Sequence, residues 1–176
     1  MVYEEVILVD DQDKAIGVAE KQAAHEKALL HRAFSVFIFY RTDTSIELLL
    51  QQRAKNKYHA GGLWTNTCCG HPRPQETILA AAERRLREEM GLSISLREIG
   101  TFQYTAHFDN GLTENEIDHV CIGFATSKEV TINPIEAENY RWIDLQTLAQ
   151  ELEQSSHSFT PWFPLALQVV LKQVNR

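Results

Sequence analysis

Runs of apolar residues divide the first third of the chain into predicted strands. Residues 5–10 read EVILVD and predict a first strand, which ends at a cluster of aspartates. Residues 33–40 and 45–54 are longer apolar runs, and the polar segment 41–44 between them predicts a hairpin of two buried strands. The long stretch 55–75 that follows is rich in Gly, Asn and Pro. Loops of this length in compact domains are usually functional.

Residues 76–90 contain the clearest helical pattern. Apolar residues recur there at helical spacing and predict one buried face, formed by Leu79, Ala82, Leu86 and Met90. Gly91 directly after them predicts the end of the helix.

The second half of the chain predicts further strands and helices. Three strand-like runs and two helical patterns follow: 96–107, 117–126 and 140–143, then 144–154 and 163–174. Strands on both sides of one central helix predict an α/β (α+β) fold, with a mixed sheet packed between helices. Neither a repeat nor a linker divides residues 1–176, which are therefore predicted to form a single domain.

Composition narrows the classes of function. A formal net charge of −7 argues against general nucleic-acid binding. We find no targeting segment and no apolar run long enough to cross a membrane. Three cysteines cannot all form disulfides, and the adjacent pair Cys68 and Cys69 is too close for the usual disulfide geometry. Free thiols predict a cytoplasmic protein, and we expect a monomer or weak dimer.

The segment from Gly70 to Leu92 resembles the Nudix motif. That motif reads Gly, five residues, Glu, seven residues, then Arg-Glu-aliphatic-x-Glu-Glu-x-Gly-aliphatic. Eight positions match: Gly70, Glu76, Arg84, Leu86, Glu88, Glu89, Gly91 and Leu92. The resemblance implies a Nudix-type fold in which helix carboxylates hold Mg²⁺ and the ion holds a diphosphate. Arg85 stands where the motif has Glu, which weakens the case for hydrolysis and provides a cation for the diphosphate. For an arbitrary helix, these Glu and Arg residues would be solvent-exposed ion pairs.

Further segments resemble the type 1 isopentenyl-diphosphate Δ-isomerase family. They are EKQAAH (20–25), HRAFSVFIF (31–39), WTNTCCGHP (64–72), TENEI (113–117) and FTPWF (159–163). The resemblance covers nearly the whole chain, and its Cys-Gly-His and Glu-Asn-Glu elements are specific to that family. It implies an enzyme of isoprenoid biosynthesis that interconverts isopentenyl and dimethylallyl diphosphate through a carbocation.

The resemblance also implies two metal sites. One divalent ion (Mn²⁺, Zn²⁺ or Mg²⁺) is held by His25, His31, His71, Glu114 and Glu116. Independently, Glu114 and Glu116 point to the same side of an extended segment, and imidazoles with carboxylates suit such ions. Glu89 matches the position that binds a second ion, Mg²⁺, together with the substrate diphosphate. The other histidines are interpreted as structural or exposed: His59, His107, His119 and His157.

Cys69 and Glu116 are implied as the acid–base pair, with Tyr104 assisting at the glutamate. Nearby cations or metals are predicted to lower the pKa of the Cys69 thiol from about 8.5 toward neutrality. Cys68 and Cys121 are interpreted as packing residues.

Substrate contacts are the remaining expectation. Candidate cations for the diphosphate are Lys21, Arg53, Lys57 and Arg85, and Trp162 is implied to face the carbocation with its ring. Two alternatives remain open: a Nudix hydrolase of a nucleoside diphosphate derivative, and a catalytically silent module that binds metal or diphosphate.

Overall fold

The computed structural model describes residues 4–174, and these residues build one mixed sheet with helices on both faces. The strands are β1 Glu5–Val9, β2 Ala15–Glu20, β3 His31–Arg41, β4 Ile46–Arg53, β5 Trp64–Thr65, β6 Cys68–Gly70, β7 Arg97–His107, β8 Thr113–Phe124 and β9 Ala137–Asp144. The helices are α1 Lys21–Glu26, α2 Ile78–Met90, α3 Leu145–Gln154 and α4 Phe163–Val174.

Strand β3 is the centre of the sheet. It pairs antiparallel with β1, β4 and β6 and parallel with β8. β7 then extends the sheet from β8, β9 and β5 both pair with β4, and β2 pairs with β1. The predicted hairpin is confirmed, because β3 and β4 pair antiparallel across the polar turn.

Side chains of β3 enter both layers of the core. Phe34, Val36 and Ile38 pack in the cluster that contains the buried face of α2. Phe37 and Phe39 point the other way, into the cluster that contains α4. A strand buried on both faces reads as a continuous apolar run, as this one does. The predicted sheet between helices is therefore confirmed.

Capping residues determine where helix α2 begins and ends. The Thr77 hydroxyl accepts a hydrogen bond from Ala80 N, and Gly91 ends the helix at φ 67°. Of the predicted face, three residues are fully buried: Ala82, Leu86 and Met90. Leu79 is 37% exposed, so its prediction as a core residue is wrong. Ile78 in the first turn is only partly buried against the core, and full burial begins at Ala81.

Two parts of the sequence prediction need correction. The stretch 55–75 is not all loop, because it contains β5 and β6, and β8 starts at Thr113 instead of residue 117. Strands of two and three residues have no detectable periodicity, and these are defined by pairing with β4 and β3. Neither β2 nor α1 was predicted. Across residues 4–174 no helix has both the length and the apolar character needed to cross a membrane.

Candidate active site

Strand register brings distant polar residues together beside β8. His31, at the start of β3, is paired with Glu116 of β8 in the parallel register. Tyr104 of β7 is paired with Glu116 from the other side. Glu114 lies two residues earlier on β8 and therefore faces the same side of the sheet as Glu116. Helix α1 adds the buried His25 to this group.

Five predicted metal ligands converge at this point, and we call them the His/Glu cluster. Its members are His25, His31, His71, Glu114 and Glu116, each offering one ligand atom within 4.8 Å of all the others. His25 Nε2 lies 2.9 Å from Glu114 Oε1. The Nε2 atoms of His31 and His71 lie 3.3 and 3.0 Å from Glu116 Oε1. Donors bound to one ion at about 2.1 Å lie within about 4.2 Å of each other, so only a small contraction is needed.

The donor atoms of the cluster fit a divalent cation. Among residues 4–174, His25 Nε2, His31 Nε2 and Glu114 Oε2 are buried without a hydrogen-bond partner, which is costly for polar groups. His31 Nδ1 lies 2.8 Å from the carbonyl oxygen of Leu29, which only accepts. His31 therefore carries its proton on Nδ1 and turns the lone pair of Nε2 into the cluster. Mixed imidazole and carboxylate donors suit Mn²⁺, Zn²⁺ or Mg²⁺.

The two carboxylates of the cluster have opposite pKa shifts. Burial raises the pKa of Glu116 well above its usual range, and the neighbouring Glu114 adds to this effect. Burial also opposes ionisation of Glu114, but hydrogen bonding with Glu116 and His59 and the nearby His25 imidazole outweigh it and lower the pKa. Two carboxylates this close do not both ionise readily, and a divalent cation is the partner that allows it.

The two adjacent thiols point to opposite sides of β6. Cys68 is paired with Val36, is fully buried and belongs to the core cluster around α2. Cys69 is paired with Ser35 and lines the cavity described below. Its Sγ lies 3.2 Å from Asn66 Nδ2 and 3.7 Å from Ser35 Oγ. Cys121 is also fully buried, so the packing interpretation of Cys68 and Cys121 is confirmed.

The environment of Cys69 does not lower its pKa as predicted. Burial raises the pKa of the thiol to about 12, and the Asp118 carboxyl adds to the shift. Hydrogen bonds from Asn66 and Ser35 only partly offset these effects. The protein groups around Cys69 therefore do not tune the pKa of its thiol toward neutrality. A thiol held protonated at neutral pH is a proton donor.

A cavity of about 340 Å³ opens beside the His/Glu cluster. The predicted catalytic residues Cys69, Tyr104 and Glu116 all line it. The predicted substrate and second-metal residues line it too: Lys21, Arg53, Lys57, Arg85, Glu89 and Trp162. His25 and His31 are fully buried behind its wall.

Three of the predicted diphosphate cations, Lys21, Lys57 and Arg85, are already paired with carboxylates. Arg85 Nη2 lies 3.3 Å from Glu136 Oε2 and 3.4 Å from Glu89 Oε1. Lys57 Nζ also contacts Glu136, and Lys21 Nζ lies 3.1 Å from Glu4 Oε2. Glu89 is only 3% exposed, and its Oε2 has no hydrogen-bond partner in the described part of the chain. Arg85, which replaces a motif carboxylate, therefore bridges two acids at the cavity wall.

Some residues of the site are absent from the sequence prediction. His59, interpreted as structural or exposed, is partly buried and hydrogen-bonds Glu114, a contact that the sequence interpretation did not include. Its position in the long stretch 55–75 was the available signal. Ser35 and Asp118 meet beside Cys69 only through strand register, and no local pattern marks them. The remaining three histidines fit the prediction: His107 and His157 are exposed and His119 is buried against Asp13 and Glu98.

The sheet between helices and the glycine-to-carboxylate segment before and within α2 define a Nudix-domain protein. The NUDIX domain model matches residues 29–163. Solved structures share the fold: the MutT protein from Methanosarcina mazei Go1 has a TM-score of 0.63 at 19% identity, covering 82% of this chain and 96% of its own. The dihydroneopterin triphosphate pyrophosphohydrolase of E. coli has a TM-score of 0.60 at 16% identity, covering 82% and 95%.

Within that class the chain belongs to the isopentenyl-diphosphate Delta-isomerase family. It is 46% identical over 177 residues to the isopentenyl-diphosphate Delta-isomerase of Photobacterium profundum, covering 99% of this chain and 98% of the relative. It is 49% identical over 162 residues to the enzyme of the same name from Burkholderia multivorans, covering 91% and 89%. The predicted resemblance is confirmed.

Proposed function

We propose that the protein is an isopentenyl-diphosphate Δ-isomerase, which interconverts isopentenyl and dimethylallyl diphosphate in isoprenoid biosynthesis. Relatives of that name, 46% and 49% identical over nearly the whole chain, support this function over a Nudix hydrolase. The observation that carries the proposal is that Cys69 and Glu116 line one cavity together with diphosphate-compatible cations. A hydrolase needs no thiol at this position.

The reaction is a 1,3-proton shift that balances without a redox cofactor. One acid protonates the terminal alkene carbon and leaves a tertiary carbocation. A base then removes a proton from C2, and the electron pair of that C–H bond forms the new double bond. Water would trap the cation, so the reacting carbons need a cavity that excludes it.

Cys69 and Glu116 are the proposed acid–base pair. Burial raises the pKa of both the Cys69 thiol and the Glu116 carboxyl, so each favours its protonated form until the divalent cation proposed below ionises the carboxyl. Tyr104, paired with Glu116 in the register and only 8% exposed, assists at that carboxyl. Trp162 is 3% exposed, lines the same cavity and offers its ring to the carbocation. Such a contact contributes about 0.5–2 kcal/mol.

We propose two divalent cations for this site. The His/Glu cluster holds one, Mn²⁺, Zn²⁺ or Mg²⁺, whose charge stabilises the ionised form of its carboxylates. Glu89, whose buried Oε2 has no hydrogen-bond partner among the residues that the structure describes, holds Mg²⁺ together with the substrate diphosphate. Lys21, Lys57 and Arg85, with Arg53, supply further positive charge for that group.

The proposed setting is the cytoplasm, with a monomer or weak dimer acting on a small diphosphate. Three free cysteines support a reducing compartment. A net charge of −7 does not favour a nucleic-acid partner.

An NMR assay with isopentenyl diphosphate in D₂O and added Mg²⁺ tests the function. We expect dimethylallyl diphosphate to form, with deuterium in substrate and product and no release of phosphate. Phosphate release from a nucleotide without deuterium incorporation would identify a hydrolase. Binding of metal or diphosphate with no turnover would identify the silent module.

A further inference from the structure

The segment between β4 and β5 reaches the His/Glu cluster with two side chains that are not among its five members. Tyr58 Oη hydrogen-bonds His25 Nδ1. His59 Nε2 hydrogen-bonds Glu114 Oε1. Both contacts are made to candidate ligands that are almost fully buried, at 0% and 2% exposure. Adjacent residues therefore contact one imidazole and one carboxylate of the same site.

The proton on His59 can be placed from its other partner. Arg53 Nη2 lies 3.1 Å from His59 Nδ1. A guanidinium only donates hydrogen bonds, so Nδ1 accepts and the ring carries its proton on Nε2. That N–H donates to Glu114. A protonated ring nitrogen cannot bind a metal, so His59 holds the carboxylate and is not itself a ligand.

Tyr58 has the corresponding relation to His25. His25 Nε2 is the atom that faces the cluster, 2.9 Å from Glu114 Oε1, and Nδ1 faces the tyrosine. An imidazole that binds an ion through Nε2 carries its proton on Nδ1, and Tyr58 Oη accepts it. The Leu29 carbonyl does the same for His31. Such outer partners fix the ring orientation of metal-binding histidines.

The two side chains are themselves held in place. The ring of His59 stacks on Tyr58 with centroids 4.6 Å apart and contacts Phe108 at 4.9 Å. Asn110 Nδ2 donates to the Tyr58 carbonyl at 2.6 Å. The Arg53 guanidinium, 7% exposed as a residue, also lies over the Trp162 ring at 5.3 Å. The support for the cluster therefore continues into the aromatic wall of the cavity.

We propose that Tyr58 and His59, with Arg53 behind His59, are positioning residues that hold His25 and Glu114 in place for a divalent cation. The inference rests on the metal site of the proposed function. It assigns part of the affinity of the His/Glu cluster for the cation to the segment between β4 and β5. Arg53 then acts through His59 in addition to any contact with a diphosphate.

Calorimetric titration of Mn²⁺ into chelator-treated protein tests this role without relying on turnover. Tyr58→Phe and His59→Ala are each expected to weaken the Kd for Mn²⁺ by about 10–100-fold. His59→Gln retains an N–H that can donate to Glu114, and we expect it to recover most of the affinity. Tyr140→Phe and His157→Ala are matched controls outside the cavity lining and should keep the wild-type Kd.

A second readout separates positioning from general loss of structure. Urea unfolding should show that each metal-free variant remains folded. Each variant should need a higher Mn²⁺ concentration for turnover, and kcat at saturating Mn²⁺ should change far less than the Kd for Mn²⁺. Wild-type Kd values in Tyr58→Phe and His59→Ala overturn the positioning role alone. A wild-type protein that binds no Mn²⁺ overturns the metal site and this inference together. Mn²⁺ binding with the expected losses but no isomerase activity supports the positioning role and overturns the proposed function.

Discussion

Replacement of Cys69 with alanine is expected to abolish most of the turnover and leave the fold intact. Its Sγ is the proposed proton-transfer atom, and its loss should lower kcat by about 10²–10⁴-fold, the usual contribution of one acid–base group. That range corresponds to about 2.7–5.4 kcal/mol in the activation barrier. Cys69 lines the cavity and does not belong to the buried core clusters, so we expect little change in unfolding free energy.

Cys68→Ala should have the opposite effect, with lower stability and nearly unchanged turnover. Cys68 is fully buried among Val36 and other residues of the α2 cluster, so removing one sulfur leaves a small cavity. A loss of about 1 kcal/mol is expected for one buried heavy atom. For a chain of this size that lowers the midpoint of thermal unfolding by about 2–4 °C. Turnover should remain close to wild type, because the side chain points away from the substrate cavity.

The comparison needs both single variants, assayed by NMR for turnover, by calorimetry for Mn²⁺ binding and by urea for stability. Cys121→Ala is the matched control, since it removes another fully buried thiol of the same core cluster. Near-normal turnover in Cys69→Ala together with an inactive but folded Cys68→Ala would refute the reasoning. The β6 register that places Cys69 in the cavity would then be wrong by one residue.

Three further results are expected. Exhaustive chelation should abolish turnover, and Mn²⁺ or Mg²⁺ should restore it. At about 100 times its Kd, the ion should also add about 2.7 kcal/mol to stability in a thermal melt. Full activity in metal-free protein would contradict the metal site. Leu86→Ala should lower the free energy of unfolding in urea by about 2–5 kcal/mol. Leu79→Ala should lower it by well under 1 kcal/mol, because Leu79 is 37% exposed. Equal losses would contradict the placement of α2. Hydrogen bonds from Arg84 lower the pKa of Glu76 below its usual 4.5, so this ion pair stabilises the fold above that pH and the benefit is lost as pH falls through the lowered pKa. The stability difference between wild type and Glu76→Gln should therefore shrink on acidification below pH 4.5, and a constant difference would contradict it.

Local patterns determined the class of fold and most of its long elements. The apolar run of β3 already indicated a strand buried on both faces, and Gly91 already indicated the end of α2. Such features depend on the conformational preferences and burial of neighbouring residues, which are present in the sequence itself. The same patterns failed for the short strands β5 and β6 and for Leu79, because pairing partners and burial there come from remote parts of the chain.

The candidate ligands and the acid–base pair came from motif spacing and family resemblance, but their assembly was decided by tertiary structure. Only the parallel register of β3 with β8 places His31 beside Glu116, and only the pairing of β6 with β3 turns Cys69 toward the cavity and Cys68 into the core. The contact of His59 with Glu114 likewise joins residues 55 positions apart. Local sequence does not encode which strands pair or in which register, because that choice depends on the packing of the whole sheet between its helices.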